Sequence, residues 1–305
     1  MRYGYACINL TLAEEKIKVN RSMIKRVFME KGISYASELA LANFIDFEKV
    51  IGWNIQNKLL FYRMSSDMIP WMSEFEISDL PDYESIRKIL ARCGEKVTNS
   101  GLRLTYHPGP FNVLATNTKT VLTNTIKELR QHAEIMDMLN LPPTPFAKIN
   151  IHVGGAFGDK VSALARFAEN YMRLPDNTKK RLTVENDDKA NMFNVQDLLW
   201  LHEQTKIPVV FDYFHHEFCT GGLSEQEAFL AALETWPEGI TPVVHFSSSR
   251  KKYEDPSSPP TAHADYLYNE LKTYDHNVDL MFEAKAKEAA VSEYLQILNY
   301  SMHEE

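Results

Sequence analysis

Cysteine is scarce in this chain, and that scarcity excludes a disulfide framework. Only three cysteines occur among the 305 residues, at Cys7, Cys93 and Cys219. An odd number of cysteines so widely spaced does not make a set of paired bridges. So few are typical of a protein that works in a reducing compartment, such as the cytosol or the nucleus.

The sequence also lacks the long apolar segments of membrane proteins. No uninterrupted apolar run approaches the roughly 20 residues that cross a bilayer. The first residues carry no apolar core of a secretion signal. No stretch rich in Pro, Gly or Ser divides the chain. We therefore expect a single domain over residues 1–305 and no membrane partner.

The chain has fewer basic than acidic residues. The chain has 33 Lys and Arg against 41 Asp and Glu, a net charge of −8, which by itself argues against a nucleic-acid binder. Two considerations weaken this argument from net charge. Cations bound at a metal site cancel the charge of the carboxylates that hold them. A DNA enzyme also needs only a local basic groove. Arg250 and Lys251 lie in a short basic run that could line such a groove. The alternative for them is a solvated surface turn.

Short apolar runs alternate with segments of helical periodicity along the whole chain. The runs have the length and the β-branched or aromatic content of buried strands. They cover residues 3–7, 60–65, 102–106, 147–151, 181–184, 208–211, 241–244 and 279–282. Helices are predicted within residues 14–58 (two or more), and over 83–101, 118–139, 160–174, 195–205, 224–235, 264–274 and 287–298. This order predicts a closed parallel α/β barrel, the (β/α)8 TIM barrel.

Acidic or imidazole side chains follow six of the predicted strands. They are His107, His152, Glu185, Asp212, His245 and Glu283. Active sites of such barrels lie at the carboxyl ends of the strands, so these side chains should converge on one face. His215 and His263, on neighbouring loops, are two further candidates.

One such residue alone is usually a surface histidine, a helix cap or a turn former, but the coincidence over six strands predicts a polynuclear metal site. Imidazole with carboxylate suits manganese, zinc or iron better than calcium or magnesium. Such a site favours metal-assisted hydrolysis.

Several longer motifs contain these candidates and occur in order along the chain. They are Gly4-Tyr5-Ala6-Cys7-Ile8-Asn9-Leu10-Thr11-Leu12, His107-Pro108-Gly109, Ile151-His152-Val153-Gly154-Gly155, Val184-Glu185-Asn186-Asp187, Asp212-Tyr213-Phe214-His215-His216, Val244-His245-Phe246-Ser247, Ala262-His263-Ala264 and Glu283-Ala284-Lys285-Ala286-Lys287-Glu288. Together they resemble the motifs of the UV damage endonucleases, the UvdE family of DNA repair enzymes.

The resemblance implies a barrel related to endonuclease IV, with two or three divalent metal ions. Manganese is the typical ion, and zinc or magnesium are alternatives. The implied reaction is a nick in double-stranded DNA on the 5′ side of a UV photoproduct such as a pyrimidine dimer, with abasic sites among further candidate lesions. The resemblance also suggests a monomer. The place of action would be the cytoplasm of a bacterium or archaeon, associated with the nucleoid, or the nucleus of a eukaryote.

The resemblance assigns roles to the candidate residues. One ion would be held by His107, His152 and Glu185. Glu185 would bridge to a second ion, held also by Asp212, His245 and Glu283, and a third would be held by His215 and His263. The catalytic residues would be Glu185, His107 and Lys285. Lys285 is either a phosphate contact or an ordinary surface charge.

Lesion recognition in the family is assigned to a glutamine and a tyrosine that follow His-Pro-Gly. Pro110 and Phe111 stand there in this chain. Phe111 keeps an aromatic face that could wedge into the base stack, with plain loop packing as the alternative. Pro110 has no side-chain donor, which leaves the lesion range open. Tyr5 and Asn9, in the first motif, are further candidate DNA contacts.

Another departure is Val243, where some relatives have a lysine, and this leaves occupancy of a third metal site open. Two other functions also stay open. One is a metal-dependent sugar isomerase or epimerase on the same barrel, and the other is a barrel that binds damaged DNA without cutting it. The full ligand set and the lack of an evident sugar-binding series favour the endonuclease.

Overall fold

The computed structural model of this chain describes residues 1–301 and shows a closed barrel of eight parallel strands. The strands pair in sequence order, and the last pairs with the first. They are β1 Tyr3–Ala6, β2 Phe61–Met64, β3 Arg103–Tyr106, β4 Ile149–His152, β5 Leu182–Glu185, β6 Val209–Asp212, β7 Val243–Phe246 and β8 Asp279–Phe282. The predicted (β/α)8 barrel is confirmed. Residues 302–305 of the expected domain lie outside the described residues.

Helices surround the strands in the described part of the chain. They are α1 Leu10–Glu14, α2 Lys25–Gln56, α3 Tyr83–Ser100, α4 Lys119–Met138, α5 Lys160–Tyr171, α6 Asp176–Lys179, α7 Val195–Thr205, α8 Tyr213–Phe218, α9 Glu225–Glu234, α10 Arg250–Tyr253 and α11 Glu288–Ser301. Short 3₁₀ turns span Ser66–Met68, Met72–Glu74, Ile77–Asp79 and Pro145–Ala147. Among the described helices, none is long and apolar enough to cross a membrane.

Helix α3 shows how the outer layer packs on the barrel. Its buried apolar residues recur at intervals of three and four, which places them on one face of the helix. They are Ile86, Ile89, Leu90, Cys93 and Val97. The helix stops at Gly101, whose φ of 71° is the left-handed conformation that commonly ends a helix.

The helix predicted over residues 264–274 is wrong. This segment is irregular, and only α10 is helical between β7 and β8 within the described chain. Leu267, Leu271 and Tyr274 recur at near-helical spacing, but they pack on the core from a non-helical backbone. Side chains accept hydrogen bonds from some backbone N–H groups of this segment. The Glu254 carboxylate accepts the Asp265 N–H, and the Ser248 hydroxyl accepts the Tyr268 N–H. Tertiary packing therefore overrides the local periodicity.

The barrel interior carries charged residues at the amino-terminal ends of its strands. Arg103, at the start of β3, is fully buried and lies 2.9 Å from the Asp279 carboxylate at the start of β8. Its other N–H groups donate to backbone carbonyls, including those of Pro145 and Thr241. These contacts tie strands from opposite sides of the barrel together, at the end away from the predicted ligands.

Replacing Asp279 with Asn should strongly destabilise the barrel. The change leaves the Arg103 guanidinium buried without its negative partner, and breaking a buried pair costs about 3–5 kcal/mol. The free energy of unfolding, measured by urea denaturation, should fall by that order. Glu30→Gln, which breaks the exposed Arg26–Glu30 pair, is the control and should have little effect. A small loss for Asp279→Asn would contradict this role.

Candidate metal centre

All eight predicted ligands lie at the carboxyl-terminal end of the barrel. His152, Glu185 and Asp212 are the last residues of β4, β5 and β6. His107 and Glu283 come directly after β3 and β8, and His245 lies within β7. His215 lies in α8, and His263 forms an isolated β-bridge with Ser249 beyond β7. In parallel register, neighbouring strand ends meet; His152 is level with Glu185, and Asp212 with His245.

Glu185 is the centre of the cluster. Its Oε2 lies 3.1 Å from His245 Nδ1, 3.2 Å from His107 Nε2 and 4.0 Å from His152 Nε2. Its Oε1 lies 3.4 Å from His215 Nδ1. One fully buried carboxylate thus faces four imidazoles from four different strands or loops.

Glu283 extends the cluster. His245 Nδ1 lies 3.2 Å from Glu283 Oε1, and His263 Nδ1 lies 4.0 Å from Glu283 Oε2. Glu185 and Glu283 therefore share His245, which places the two carboxylates on the same side of the barrel mouth.

Two groups in the cluster have the geometry of a metal site. His107, His152 and Glu185 form one group, and Glu185, Asp212 and His245 form the other. Within each group, one ligand atom per residue lies within 4.8 Å of the others. Glu185 belongs to both groups, as a bridging ligand would.

Buried carboxylate oxygens in the cluster lack hydrogen bonds. Glu185 Oε1 and Asp212 Oδ2 accept none from any residue that the structure describes. A buried acceptor left unpaired is costly, so native structures rarely contain one without a reason. A divalent cation would satisfy both oxygens, and the imidazole and carboxylate donor set fits such an ion.

The histidines and carboxylates of the cluster perturb each other's pKa. Burial opposes protonation of His152 and His215, but nearby carboxylates raise their pKa to about 9 and about 10. Glu185 and Asp187 act on His152, and Asp212 and Glu185 act on His215. Burial dominates at His107 and lowers its pKa to about 4. Two imidazoles are therefore held as cations in the metal-free cluster.

The carboxylates respond to the same charges. Burial works against ionisation of Glu185, but His245 and His152 hold its pKa well below its ordinary value. Burial likewise opposes the charge of Glu283, and Arg63 with His245 keeps its pKa low. Asp212 differs, because burial together with the neighbouring carboxylates raises its pKa. The pKa of Glu185 and that of Glu283 are thus low because positive side chains surround both carboxylates.

Three imidazoles are oriented by backbone carbonyls. His215 Nδ1 lies 2.9 Å from the carbonyl of Asn186, His263 Nδ1 lies 3.0 Å from that of Glu283, and His107 Nδ1 lies 3.2 Å from that of Pro108. In the neutral form of such a ring, an Nδ1–H that donates to a carbonyl leaves Nε2 with a free lone pair. This is the usual arrangement of a metal-binding histidine.

Comparison with known proteins assigns the chain to a family. The family model for the UV-endonuclease UvdE matches residues 1–304. This chain belongs to the UvdE family. The family resemblance that the sequence motifs indicated is confirmed.

Relatives in the UvdE family come from a yeast and from bacteria. The chain is 34% identical over 302 residues to the UV-damage endonuclease of Schizosaccharomyces pombe, and spans half of that protein's length. It is 33% identical over 263 residues to the UV DNA damage endonuclease of Bacillus thuringiensis, and covers 79% of it. Among solved structures, SacUVDE superposes with a TM-score of 0.85 at 30% identity and 98% coverage of both chains.

More distant structures share the fold alone. Endonuclease IV from Thermus thermophilus matches with a TM-score of 0.57 at 14% identity over the whole of both chains. D-psicose 3-epimerase from Clostridium cellulolyticum matches at 0.52 and 12% identity, over 78% of this chain and 80% of the epimerase. The barrel therefore does not discriminate between the endonuclease and the sugar-epimerase hypotheses.

Several residues predicted to contact DNA are exposed around the cluster. Phe111 is 87% exposed, so the loop-packing alternative is wrong for it in this structure, and Pro110 beside it is exposed too. Lys285 is exposed on the loop after β8. Lys251 is exposed in α10, whereas Arg250 lies 3.5 Å from Asp265 and part of its charge is neutralised. Their DNA contacts stay predictions.

The prediction that Tyr5 and Asn9 contact DNA disagrees with their burial. Tyr5 has no exposed surface, and its hydroxyl donates to Asn54 Oδ1 at 2.7 Å. Asn9 is 3% exposed; its amide donates to the Tyr5 hydroxyl, and its Oδ1 caps helix α1 by accepting the Leu12 N–H. Both residues hold the turn after β1 in place, and neither offers a free atom to DNA.

Sequence reasoning missed three polar residues behind the ligands. Arg63 in β2 forms an ion pair with Glu283, Lys148 Nζ lies 3.4 Å from His245 Nε2, and the Asn150 amide donates to Glu185. A signal was present, because each is a polar residue within or beside an apolar strand run. Such residues are seldom buried without a partner.

Replacing Glu185 with Gln should lower the pKa of His152 and His215 in the metal-free protein. The change removes the carboxylate that both imidazoles face, so their pKa should move from about 9 and about 10 toward the unperturbed value of about 6.5. Histidine NMR titration measures this. Asp159→Asn, which alters an exposed helix cap outside the cluster, is the control. Unchanged titration midpoints in Glu185→Gln would show that Glu185 does not control these charges.

Proposed function

We propose that this chain is a DNA repair endonuclease that nicks double-stranded DNA on the 5′ side of UV photoproducts. The observation that carries the proposal is the cluster of imidazoles and carboxylates around Glu185, in a chain of the UvdE family. The relatives named above are UV damage endonucleases. We place its action on genomic DNA, in the cytoplasm of a bacterium or archaeon or in a eukaryotic nucleus.

The cluster would hold two or three divalent ions, with manganese as the first choice and zinc or magnesium as alternatives. His107, His152 and Glu185 would hold one ion, and Glu185, Asp212, His245 and Glu283 a second. His215 and His263 would hold a third. Divalent cations in such a site polarise a phosphate and increase the acidity of the attacking water.

The side chains of the chain itself would supply the remaining functions. Hydrolysis forms a bond from a water oxygen to phosphorus and breaks the bond to the 3′ oxygen, which leaves as a hydroxyl after gaining a proton. Glu185, which faces four imidazoles, keeps the cluster together. His107 is 17% exposed at the rim, within reach of an entering phosphate, and Lys285 would neutralise the negative charge of the DNA backbone.

Phe111 would recognise the lesion. Its ring projects into solvent from the loop that follows His107, so one short loop carries both a cluster residue and an aromatic wedge. Bases that are damaged and poorly stacked are the easiest to displace. Pro110 adds no side-chain hydrogen bond, so we expect selection by ease of distortion rather than by base identity.

UV-irradiated supercoiled plasmid should be nicked by the wild-type chain with manganese, whereas unirradiated plasmid should stay intact. A duplex containing one defined dimer should be cut on its 5′ side, leaving a 3′ hydroxyl. A metal chelator should stop the reaction. Glu185→Gln should abolish nicking because it removes the ligand shared by both groups, and circular dichroism should confirm that the variant is folded.

Other outcomes of this assay would contradict the proposal. Binding of irradiated DNA in a gel shift without nicking under any of the three metals would support a non-catalytic barrel. Metal binding with neither DNA binding nor nicking, together with turnover of ketose sugars, would support the epimerase.

Replacing Phe111 with Ala should reduce nicking of the dimer-containing duplex by about 5- to 150-fold in kcat/KM, since aromatic stacking on a base contributes about 1–3 kcal/mol. Phe111→Tyr keeps a ring and should retain most activity. Met172→Ala, which truncates an exposed apolar side chain away from the cluster, is the matched control. Equal activity of Phe111→Ala and Met172→Ala would exclude the wedge.

A further inference from the structure

The residue after Glu185 joins two strands at the mouth of the barrel. Backbone pairing between β5 and β6 reaches only as far as Glu185, which is level with Val210. Beyond Glu185, the Asn186 side chain forms the hydrogen bonds that a paired backbone residue would form. Its Oδ1 accepts the Asp212 N–H at 2.9 Å, and its Nδ2 donates to the Asp212 carbonyl at 3.0 Å. An amide side chain has the same donor and acceptor as a peptide group, so it can extend the pairing by one position.

Asn186 also orients a histidine. Its backbone carbonyl lies 2.9 Å from His215 Nδ1, while the His215 backbone N–H donates to Asp212 Oδ1 at 2.8 Å. The three residues therefore form a closed set of hydrogen bonds. Rotation of Asp212 or His215 would break at least one of them.

Asp187 orients a third candidate ligand, His152. Its Oδ1 lies 3.0 Å from His152 Nδ1, on the side of the ring away from Glu185. The loop holds the carboxylate in place, because Oδ2 accepts the Phe193 N–H and the Asp187 N–H donates to the Phe193 carbonyl. A carboxylate behind a metal-binding imidazole fixes its orientation and makes it a better ligand.

We propose that Asn186 and Asp187 are positioning residues of the metal centre, with Asn186 orienting Asp212 and His215, and Asp187 orienting His152. The inference depends on the proposed metal site. Neither residue is placed to act directly: Asn186 is fully buried with both side-chain polar atoms in hydrogen bonds, and Asp187 is directed at a histidine. Glu185, Asn186 and Asp187 thus combine one ligand with the supports of three others in consecutive positions.

Manganese binding to the chelator-treated chain of residues 1–305 tests the proposal without DNA. Free Mn²⁺ is followed by electron paramagnetic resonance, and the unfolding temperature is recorded with and without metal. Asn186→Ala and Asp187→Ala should weaken Mn²⁺ binding by about 10- to 100-fold, the usual effect of losing such a partner. Asn186→Gln adds no charge and keeps an amide, but the longer side chain displaces it from the Asp212 backbone, so this variant serves if Asn186→Ala does not fold. Asp187→Asn should be intermediate.

Two matched variants separate positioning from general stability. Asn170→Ala removes a buried amide that donates to the Leu114 carbonyl at 2.8 Å, outside the cluster. It should lower the unfolding temperature of the metal-free protein, as Asn186→Ala should, but leave Mn²⁺ affinity unchanged. Asp159→Asn makes the same charge change as Asp187→Asn at an exposed helix cap outside the cluster. It too should leave the affinity unchanged.

A spectroscopic signature tests the assignment independently. With diamagnetic Zn²⁺ bound, the Nδ1 protons of His152 and His215 should be protected from exchange and visible by NMR. Asp187→Ala should remove the His152 signal. Asn186→Ala should displace the Asn186 backbone carbonyl and thereby remove the His215 signal. Loss of both signals only when the protein unfolds would contradict the inference.

The outcomes distinguish this inference from the proposed function. Wild-type affinity in both Asn186→Ala and Asp187→Ala, or an equal loss in Asn170→Ala, overturns the positioning roles alone. Weakened metal binding in these variants, in a wild type that binds manganese but does not nick irradiated DNA, supports the positioning roles and overturns the function. A wild type that binds no divalent ion overturns both.

Discussion

A buried carboxylate among imidazoles is the constraint on which this structure depends. Glu185 is fully buried at the end of β5 and lies within about 4 Å of four histidine rings. Such a group is stable in a barrel interior only if positive charge surrounds it, whether protonated imidazoles or bound cations. Six of the eight strands, β3 to β8, carry or directly precede a candidate ligand, and closure of the barrel brings these residues together around Glu185.

Ion pairs compensate for buried charge at both ends of the barrel. Arg63 pairs with Glu283 at the barrel mouth, Lys148 lies behind His245, and Arg103 pairs with Asp279 at the other end. The barrel interior thus holds polar groups at both ends and, between them, an apolar cluster that includes Phe61, Val210 and Met281. The two ion pairs connect β2 and β3 with the two ends of β8, and neither β2 nor β3 pairs with β8 through its backbone.

Much of the site follows from local pattern. Each candidate ligand that follows an apolar run can be predicted without coordinates, because parallel strands place their carboxyl ends together; His107, His152 and Glu185 are examples. Tyr5 and Asn9 show the limit of this reasoning, since motif membership does not reveal that a side chain is buried. The segment 264–274 shows another limit, because periodic leucines can reach a core without forming a helix.

The sequence alone determined the eight apolar runs, most of the helices between them and the candidate ligand that follows six of the runs, because these features depend on residues close together in the chain. The tertiary structure decided which polar side chains lie behind the ligands. Asn186 and Asp187 are read from the sequence as one motif, yet they support different ligands, on β6 with its following helix and on β4. Such partners are 26 to 35 positions apart in the chain. Only closure of the barrel brings them within hydrogen-bonding distance.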